Sequence, residues 1–388
     1  MKRIVLSGKA IVIGPDSLKY LRQVECRHAF IVTGGSSMEK SGVIRRVKRY
    51  LKESNSKVTV YSGIKKNPTI DEVMEGVECM KRETPDLVLA IGGGSAMDAA
   101  KAMLLFYEFP ELNFDNVLSR IQKGLIPKNR KTELICVATT SGTASEVTRG
   151  TVITDAKKEL KVPIMTDCLR PDIAILDPVL TMTMPFHIAA ETGMDALTHA
   201  IEAYTNHNLD DFNEGLCRAA IEGLMQWLPI SCTDATLESR EKVHNYQAMA
   251  GIGFANVGLG MVHGIAHSYG AIFNLGHGLA NAIILPYVLE YNRRNNLVAE
   301  KLENLSYHCK CNDIVDSIRK MREELQIPNC FYDAGLSEEE YLSKFDKLVE
   351  HSMLGATKVN PVEVDIEVMK EMVALTYYGK PVNDKGVV

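Results

Sequence analysis

A chain of 388 residues exceeds the ~250–300 residues at which a single hydrophobic core stops growing, so two domains are expected. With 46% hydrophobic and 24% charged residues the composition is that of a globular protein, and a formal net charge of −5 excludes the cationic field that nucleic acid or an anionic membrane surface selects. A small molecule is the expected partner.

The opening run Met-Lys-Arg-Ile-Val-Leu-Ser-Gly is too short in apolar residues for a signal peptide, and no stretch reaches the ~18 apolar residues of a membrane span. Nine cysteines, of which only Cys309 and Cys311 lie close together, form neither paired zinc-ribbon spacings nor a regular disulfide framework. Reduced thiols in a cytoplasmic protein are expected.

Residues 29–35 (Ala-Phe-Ile-Val-Thr-Gly-Gly) read as a buried strand ending in glycines, followed by a charged helix over 39–53. A strand over 57–61, a helix over 69–83 and a strand over 86–91 come next, and Gly92-Gly-Gly-Ser95 opens a helix through Lys101. Strands over 134–138 and 173–177 complete the set. Strand and helix units with near-continuously apolar strands imply a parallel sheet covered on both faces. Beyond residue 178 the pattern changes to helices alone, over 185–206, 211–228, 236–256, 260–273, 278–293, 297–306, 312–325 and 337–350. The expected fold is therefore an α/β parallel-sheet domain over 1–180 and an all-α domain over 181–388, with residues 383–388 fraying.

Two loops have nucleotide-binding character. The Gly92-Gly-Gly-Ser95 turn allows close backbone approach, and the helix behind it offers unpaired N–H groups and a partial positive charge to a pyrophosphate. A tight strand-to-helix turn would need the same glycines. Thr139-Thr-Ser-Gly-Thr-Ala-Ser-Glu146 adds a hydroxyl-rich turn after another parallel strand, at the same edge of the sheet. The spaced-glycine dinucleotide fingerprint and the Gly-Lys-Ser/Thr of a P-loop are both absent.

The residues with metal-binding character lie in the helical half. Asp195 and His199 are four apart on one helix, so their side chains leave the same face; His263 and His267 repeat that offset, and His277 follows between glycines. A single histidine on an apolar helix is more often a core residue, but five such groups at helical offsets are hard to place otherwise. One carboxylate with imidazoles suits Fe(II), Zn(II), Mn(II) or Co(II), and the lack of nearby cysteine argues against a closed structural zinc site. A zinc-protease helix needs Glu directly after the first His, where this chain has Gly264.

Residues 177–202 and 260–280 resemble the two signature stretches of the iron-containing (group III) alcohol dehydrogenase family. Asn67-Pro-Thr69, Gly92-Gly-Gly-Ser-Ala-Met-Asp98 and residues 139–146 resemble its cofactor loops, in the family's order. The resemblance implies that Asp195, His199, His263 and His277 bind the metal, Fe(II) or alternatively Zn(II). It also implies that His267 stands beside substrate and nicotinamide, where it relays the hydroxyl proton. Gly93, Gly94, Ser95, Asp98, Thr139, Thr140, Thr143 and Lys161 would contact the cofactor, with Asn67 and Leu180 on the adenosine side. The implied reaction moves hydride between NAD(P)(H) and a small primary alcohol or diol and its aldehyde, in a homodimer or higher homo-oligomer. A glycerol dehydrogenase, a dehydroquinate-synthase-like enzyme of the wider superfamily and a non-catalytic nucleotide or metal sensor stay open as alternatives.

Two departures from the family pattern bear on specificity. NAD-preferring relatives often carry Asp at the end of the first core strand, where this chain has Gly34. The amides of Gly34 and Gly35 and the hydroxyls of Ser36 and Ser37 can cradle a 2′-phosphate, which leans the cofactor expectation toward NADP over NAD. Arg149 stands where relatives place apolar or amide residues, so it either meets a polar substrate or is a solvated surface residue.

Overall fold

Short runs rich in aliphatic residues form the strands of the first half. These are β1 (Ala10–Ile13), β2 (His28–Thr33), β3 (Lys57–Tyr61), β4 (Leu87–Gly92), β5 (Glu133–Ala138), β6 (Gly150–Asp155), β7 (Leu160–Met165) and β8 (Ile173–Leu176). In this computed structural model, which describes residues 3–380, six of them form one sheet of order β1-β8-β5-β4-β2-β3 with every pairing parallel. The expected fraying of residues 383–388 lies outside the described residues. Every position of β2 and β4 is buried, as a sheet covered on both faces requires. The helices of this unit are α1 (Ser37–Lys40), α2 (Val43–Glu53), α3 (Ile70–Glu83), α4 (Gly94–Glu108) and α5 (Val117–Gln122). One face of the sheet buries Ile31, Leu89 and Val137 against Val47 and Leu51 of α2.

This unit differs from the sequence expectation in several features. The helix expected over 39–53 breaks into α1 and α2 because Gly42 takes a left-handed φ of 73°. The helix after Gly92-Gly-Gly-Ser95 runs on to Glu108, since Ala102 to Phe106 are buried and continue its apolar surface. The antiparallel hairpin of β6 and β7 was not expected, and Pro163 with the charged turn Lys157-Lys158-Glu159 explains why those residues read as loop.

Residues up to Thr183 form this unit and those from Met184 onward a second one. The second is helical: α6 (Phe186–Thr205), α7 (Asp211–Thr233), α8 (Leu237–Val257), α9 (Met261–Ile272), α10 (His277–Asn292), α11 (Asn296–His308), α12 (Ile314–Glu324), α13 (Glu338–Ser343), α14 (Phe345–Ser352) and α15 (Ile366–Tyr378). Helix α7 passes through Pro229 instead of ending before it, and α15, capped by Asp365, lies beyond the helices read from the sequence. Helix α6 is buried without interruption from Gly193 to Thr205, as a helix with apolar residues all round must be. It lies in the middle of the core that Leu197, Ile201, Leu224, Ile265 and Ile284 help to build.

No single described helix is long and apolar enough to cross a membrane. The nine cysteines are unpaired thiols, and burial pushes those of Cys136, Cys217 and Cys309 up to about 12, so these three stay protonated at neutral pH.

Candidate metal centre and cofactor loops

Asp195 and His199 leave one face of α6, His263 stands in the first turn of α9, and His277 opens α10. One donor atom from each of the four lies within 4.8 Å of the other three. The Nε2 atoms of His199, His263 and His277 stand 4.0, 3.8 and 3.7 Å from Asp195 Oδ1. Two ligands bound at about 2.1 Å to one first-row ion are about 3.4 Å apart in a tetrahedral arrangement, so small rotamer adjustments bring this set onto one ion. Burial supports the fit: the side chains of Asp195 and His263 are 2% and 1% exposed, and a carboxylate that deep among imidazoles is stabilised by a shared cation. His277, at 25%, is the accessible member.

Neighbouring groups aim these ligands. Glu202 follows Asp195 and His199 along the same stripe of α6. Its Oε2 accepts the Nδ1 hydrogen of His263 at 2.5 Å, and its Oε1 accepts the Val262 N–H at 2.8 Å. Because a carboxylate only accepts, His263 keeps its proton on Nδ1 and turns the Nε2 lone pair toward Asp195. The sequence reading gave Glu202 no role, although its seven-residue offset from Asp195 marks the same helix face. Phe254 of α8 stacks on His199, with centroids 4.4 Å apart and planes at 16°. A Cβ on Gly278 would meet the Glu191 carbonyl oxygen at 2.4 Å, so only glycine lets α10 start this close to α6.

His267 lies one turn beyond His263 on α9 and outside the four-residue set. Its ring stacks on that of His277 at 5.0 Å and 19°, and stands edge-on to His263 at 6.0 Å. The structure thus places all five residues of the sequence reading together, four around one point and His267 beside them.

In the sheet unit, β4 and β5 are neighbours and the Thr139 N–H donates to the Gly92 carbonyl at 3.0 Å, which brings their two loops side by side. A Cβ on Gly94 would meet Thr143 Cγ2 at 2.7 Å, so the glycine run serves loop packing as well as any phosphate. Helix α4 begins at Gly94 with Gly93 before it and no side-chain cap, leaving Ser95 in a first turn that attracts an anion. Thr140 contacts Gly93 through the same packing. Lys161 of β7 donates to Asn67 Oδ1 at 2.7 Å, and Asn67 holds the left-handed φ of 56° that Asn tolerates.

Other residues of the sequence reading occupy different surroundings. Asp98 uses both carboxylate oxygens within the protein, accepting from Ser145 Oγ at 2.8 Å and from the Val152 N–H at 2.9 Å, so it ties α4 to the loop before β6. Leu180 is buried in the sheet core. Gly34 lies at the end of β2, where its carbonyl accepts the Gly63 N–H at 2.9 Å, and Gly35, Ser36 and Ser37 are exposed beside it. Arg149 forms a half-exposed ion pair with Asp167 at 3.4 Å. Lys101, passed over in the sequence, is fully buried and donates to the carbonyls of Thr148 and Gly150 at 3.0 and 2.8 Å.

A parallel sheet with such loops, and a helical unit with this donor set, are the parts expected of a metal-dependent enzyme that binds a nucleotide. Comparison with known proteins gives the family. Residues 8–178 match the profile of iron-containing alcohol dehydrogenase, and residues 189–377 match that of the C-terminal part of the same family. Over 382 residues the chain is 38% identical to the NADPH-dependent butanol dehydrogenase of Clostridium saccharobutylicum, covering 96% of this chain and 97% of that one. It is 35% identical over 377 residues to an alcohol dehydrogenase of Thermococcus barophilus, with 95% and 97% covered. The solved structure of an iron-containing alcohol dehydrogenase from Thermococcus thioreducens superposes with a TM-score of 0.90 at 32% identity, covering 97% of this chain and all of that one.

The chain belongs to the iron-containing alcohol dehydrogenase family. It is an NAD(P)-dependent oxidoreductase that interconverts small alcohols and their aldehydes, and the glycerol dehydrogenase, dehydroquinate-synthase-like and sensor alternatives are not favoured.

Proposed function

We propose that Asp195, His199, His263 and His277 hold a catalytic Fe(II), that NADP(H) is preferred over NAD(H), and that the substrate is a small primary alcohol or diol with its aldehyde. The observation that carries this reading is the buried convergence of one carboxylate and three imidazoles, with Glu202 fixing the tautomer of one. Nitrogen and oxygen donors without thiolate suit Fe(II) and, as the alternative, Zn(II). Bound there, the ion supplies Lewis acidity, which lowers the pKa of an alcohol hydroxyl and polarises an aldehyde carbonyl.

The protein's own groups do the rest. Phe254 covers one face of His199 and keeps water from it. His267, stacked on the accessible His277, takes the hydroxyl proton and passes it to solvent. Residues 1–180 serve the cofactor: the first turn of α4 and the hydroxyls of Thr139, Thr140 and Thr143 receive the pyrophosphate, while Asn67 and Lys161 form a polar pair toward the sugar. The missing carboxylate at Gly34 removes a charge that would repel a 2′-phosphate. A relative whose name records NADPH dependence supports the same preference. Residues 181–388 serve the metal.

The test is a rate comparison on purified protein stripped of metal and reloaded with Fe(II) or Zn(II). Aldehydes and diols of increasing chain length are offered with NADPH or NADH. Activity restored by Fe(II) and a higher kcat/KM with NADPH are the expected results. Full activity after stripping, or a higher kcat/KM with NADH, would contradict the corresponding part.

A further inference from the structure

Asn281 lies one turn beyond His277 on α10, so the two side chains leave the same helix face. It is fully buried, and its amide nitrogen stands 2.6 Å from Asp195 Oδ1 and 3.2 Å from the Nε2 atoms of both His263 and His277. The carboxamide is therefore aimed at the point that three of the four donor atoms share. An amide NH2 has two hydrogens, so it cannot serve three acceptors at once. The shortest contact is the one to the carboxylate, and a hydrogen bond to an ionised acceptor is the strongest available to it. At the other end of the side chain, Oδ1 is buried with no hydrogen-bond partner among the described residues. A buried acceptor left without a donor is costly, and the fold alone would be served better by Ala or Leu in the middle of a core helix.

We propose that Asn281 is a positioning residue for the metal centre: its N–H bond to Asp195 Oδ1 sets the rotation of that carboxylate and presents it to the cation the four ligands share. It acts through Asp195 and not as a ligand, because an amide nitrogen has no lone pair to give. This inference rests on the reading of the four residues as a metal centre.

The test measures metal affinity, by competition of the full chain with a chelating dye for Co(II) and for Zn(II). It uses wild type, Asn281→Ala, Asp195→Ala and the double variant, with the visible absorption of the Co(II)-loaded proteins recorded alongside. Asn281→Ala is expected to lose ~10–100-fold in affinity, as loss of an outer-shell partner does, and to shift the Co(II) bands. In the Asp195→Ala background the same substitution is expected to change affinity by less than about twofold, since its target is gone. Unchanged affinity and spectrum in Asn281→Ala would overturn the inference. An equal loss in both backgrounds would also overturn it, showing that the amide acts on the imidazoles or as a ligand through a turned-in Oδ1. If Asn281→Ala does not fold, Asn281→Leu, γ-branched like Asn but without a donor, takes its place with the same expectations; failure of both to fold would make Asn281 a residue of the core and overturn the proposal. Wild-type affinity in Asp195→Ala would overturn the metal-centre reading as well, whereas a loss there with none in Asn281→Ala would overturn this inference alone.

Discussion

The two units build their candidate sites from different materials. In the helical unit the donors are side chains fixed on long buried helices, with α6 enclosed from Gly193 to Thr205 and Glu202, Asn281 and Phe254 packed around the ligands. In the sheet unit the corresponding groups are turns at strand ends, made of backbone and short hydroxyls, and part of that material is exposed at Gly35, Ser36 and Ser37. A side chain on a rigid element offers one donor in one direction, so its loss is not made good by a neighbour. A loop of backbone amides shares its contacts among several groups, so one substitution there retunes preference. Changes in the helical cluster should therefore switch the reaction off, and changes in the sheet loops should redirect it.

Substitutions of graded effect sharpen that contrast. His267→Ala should keep stoichiometric metal and lower kcat by ~10²–10⁴, the usual contribution of a positioned proton-transfer group, with an altered pH profile. Metal analysis beside the kinetics checks this, and loss of the metal would make His267 a ligand. Glu202→Gln should weaken metal binding by ~10–100-fold, because a neutral amide no longer accepts strongly from His263 Nδ1. Chelator competition reads the change, and wild-type affinity would show that the 2.5 Å contact does not aim the ligand. Gly34→Asp, in the sheet unit, should leave metal binding alone and move the ratio of kcat/KM values toward NAD by ~10-fold for one like-charge contact. A Cβ at Gly34 meets only the Ile64 carbonyl oxygen at an ordinary 3.6 Å, so the variant should fold. An unchanged ratio would mean that this turn does not face the 2′ position.

The same contrast explains what was legible in the sequence. Helical offsets put Asp195 with His199 and His263 with His267 on shared faces, and the parallel sheet follows from apolar strand runs such as those of β2 and β4. Which helices meet is not a local property. No spacing says that Glu202 of α6 reaches His263 of α9, or that Asn281 of α10 turns toward Asp195, because both contacts depend on how three helices pack. Contacts made across the β6 hairpin were hidden for the same reason. Asp98, in the cofactor-like motif, also accepts from Ser145 of the loop before β6 and from Val152 of β6, and the sequence did not reveal that hairpin. Strand β1 was missed too, since four residues at an edge carry little periodicity and take their register from β8.

The central claim is that the four-residue cluster holds a catalytic metal and does not hold the fold together. Metal content and far-UV circular dichroism of His263→Ala, measured on the same preparation as alcohol oxidation, test it most directly. The helical unit has a large apolar core of its own, so the account predicts loss of metal and of activity with the helical signal retained. A helical signal that falls together with the metal would make the site structural, and stoichiometric metal in the variant would remove His263 from the ligand set; either result would contradict the account.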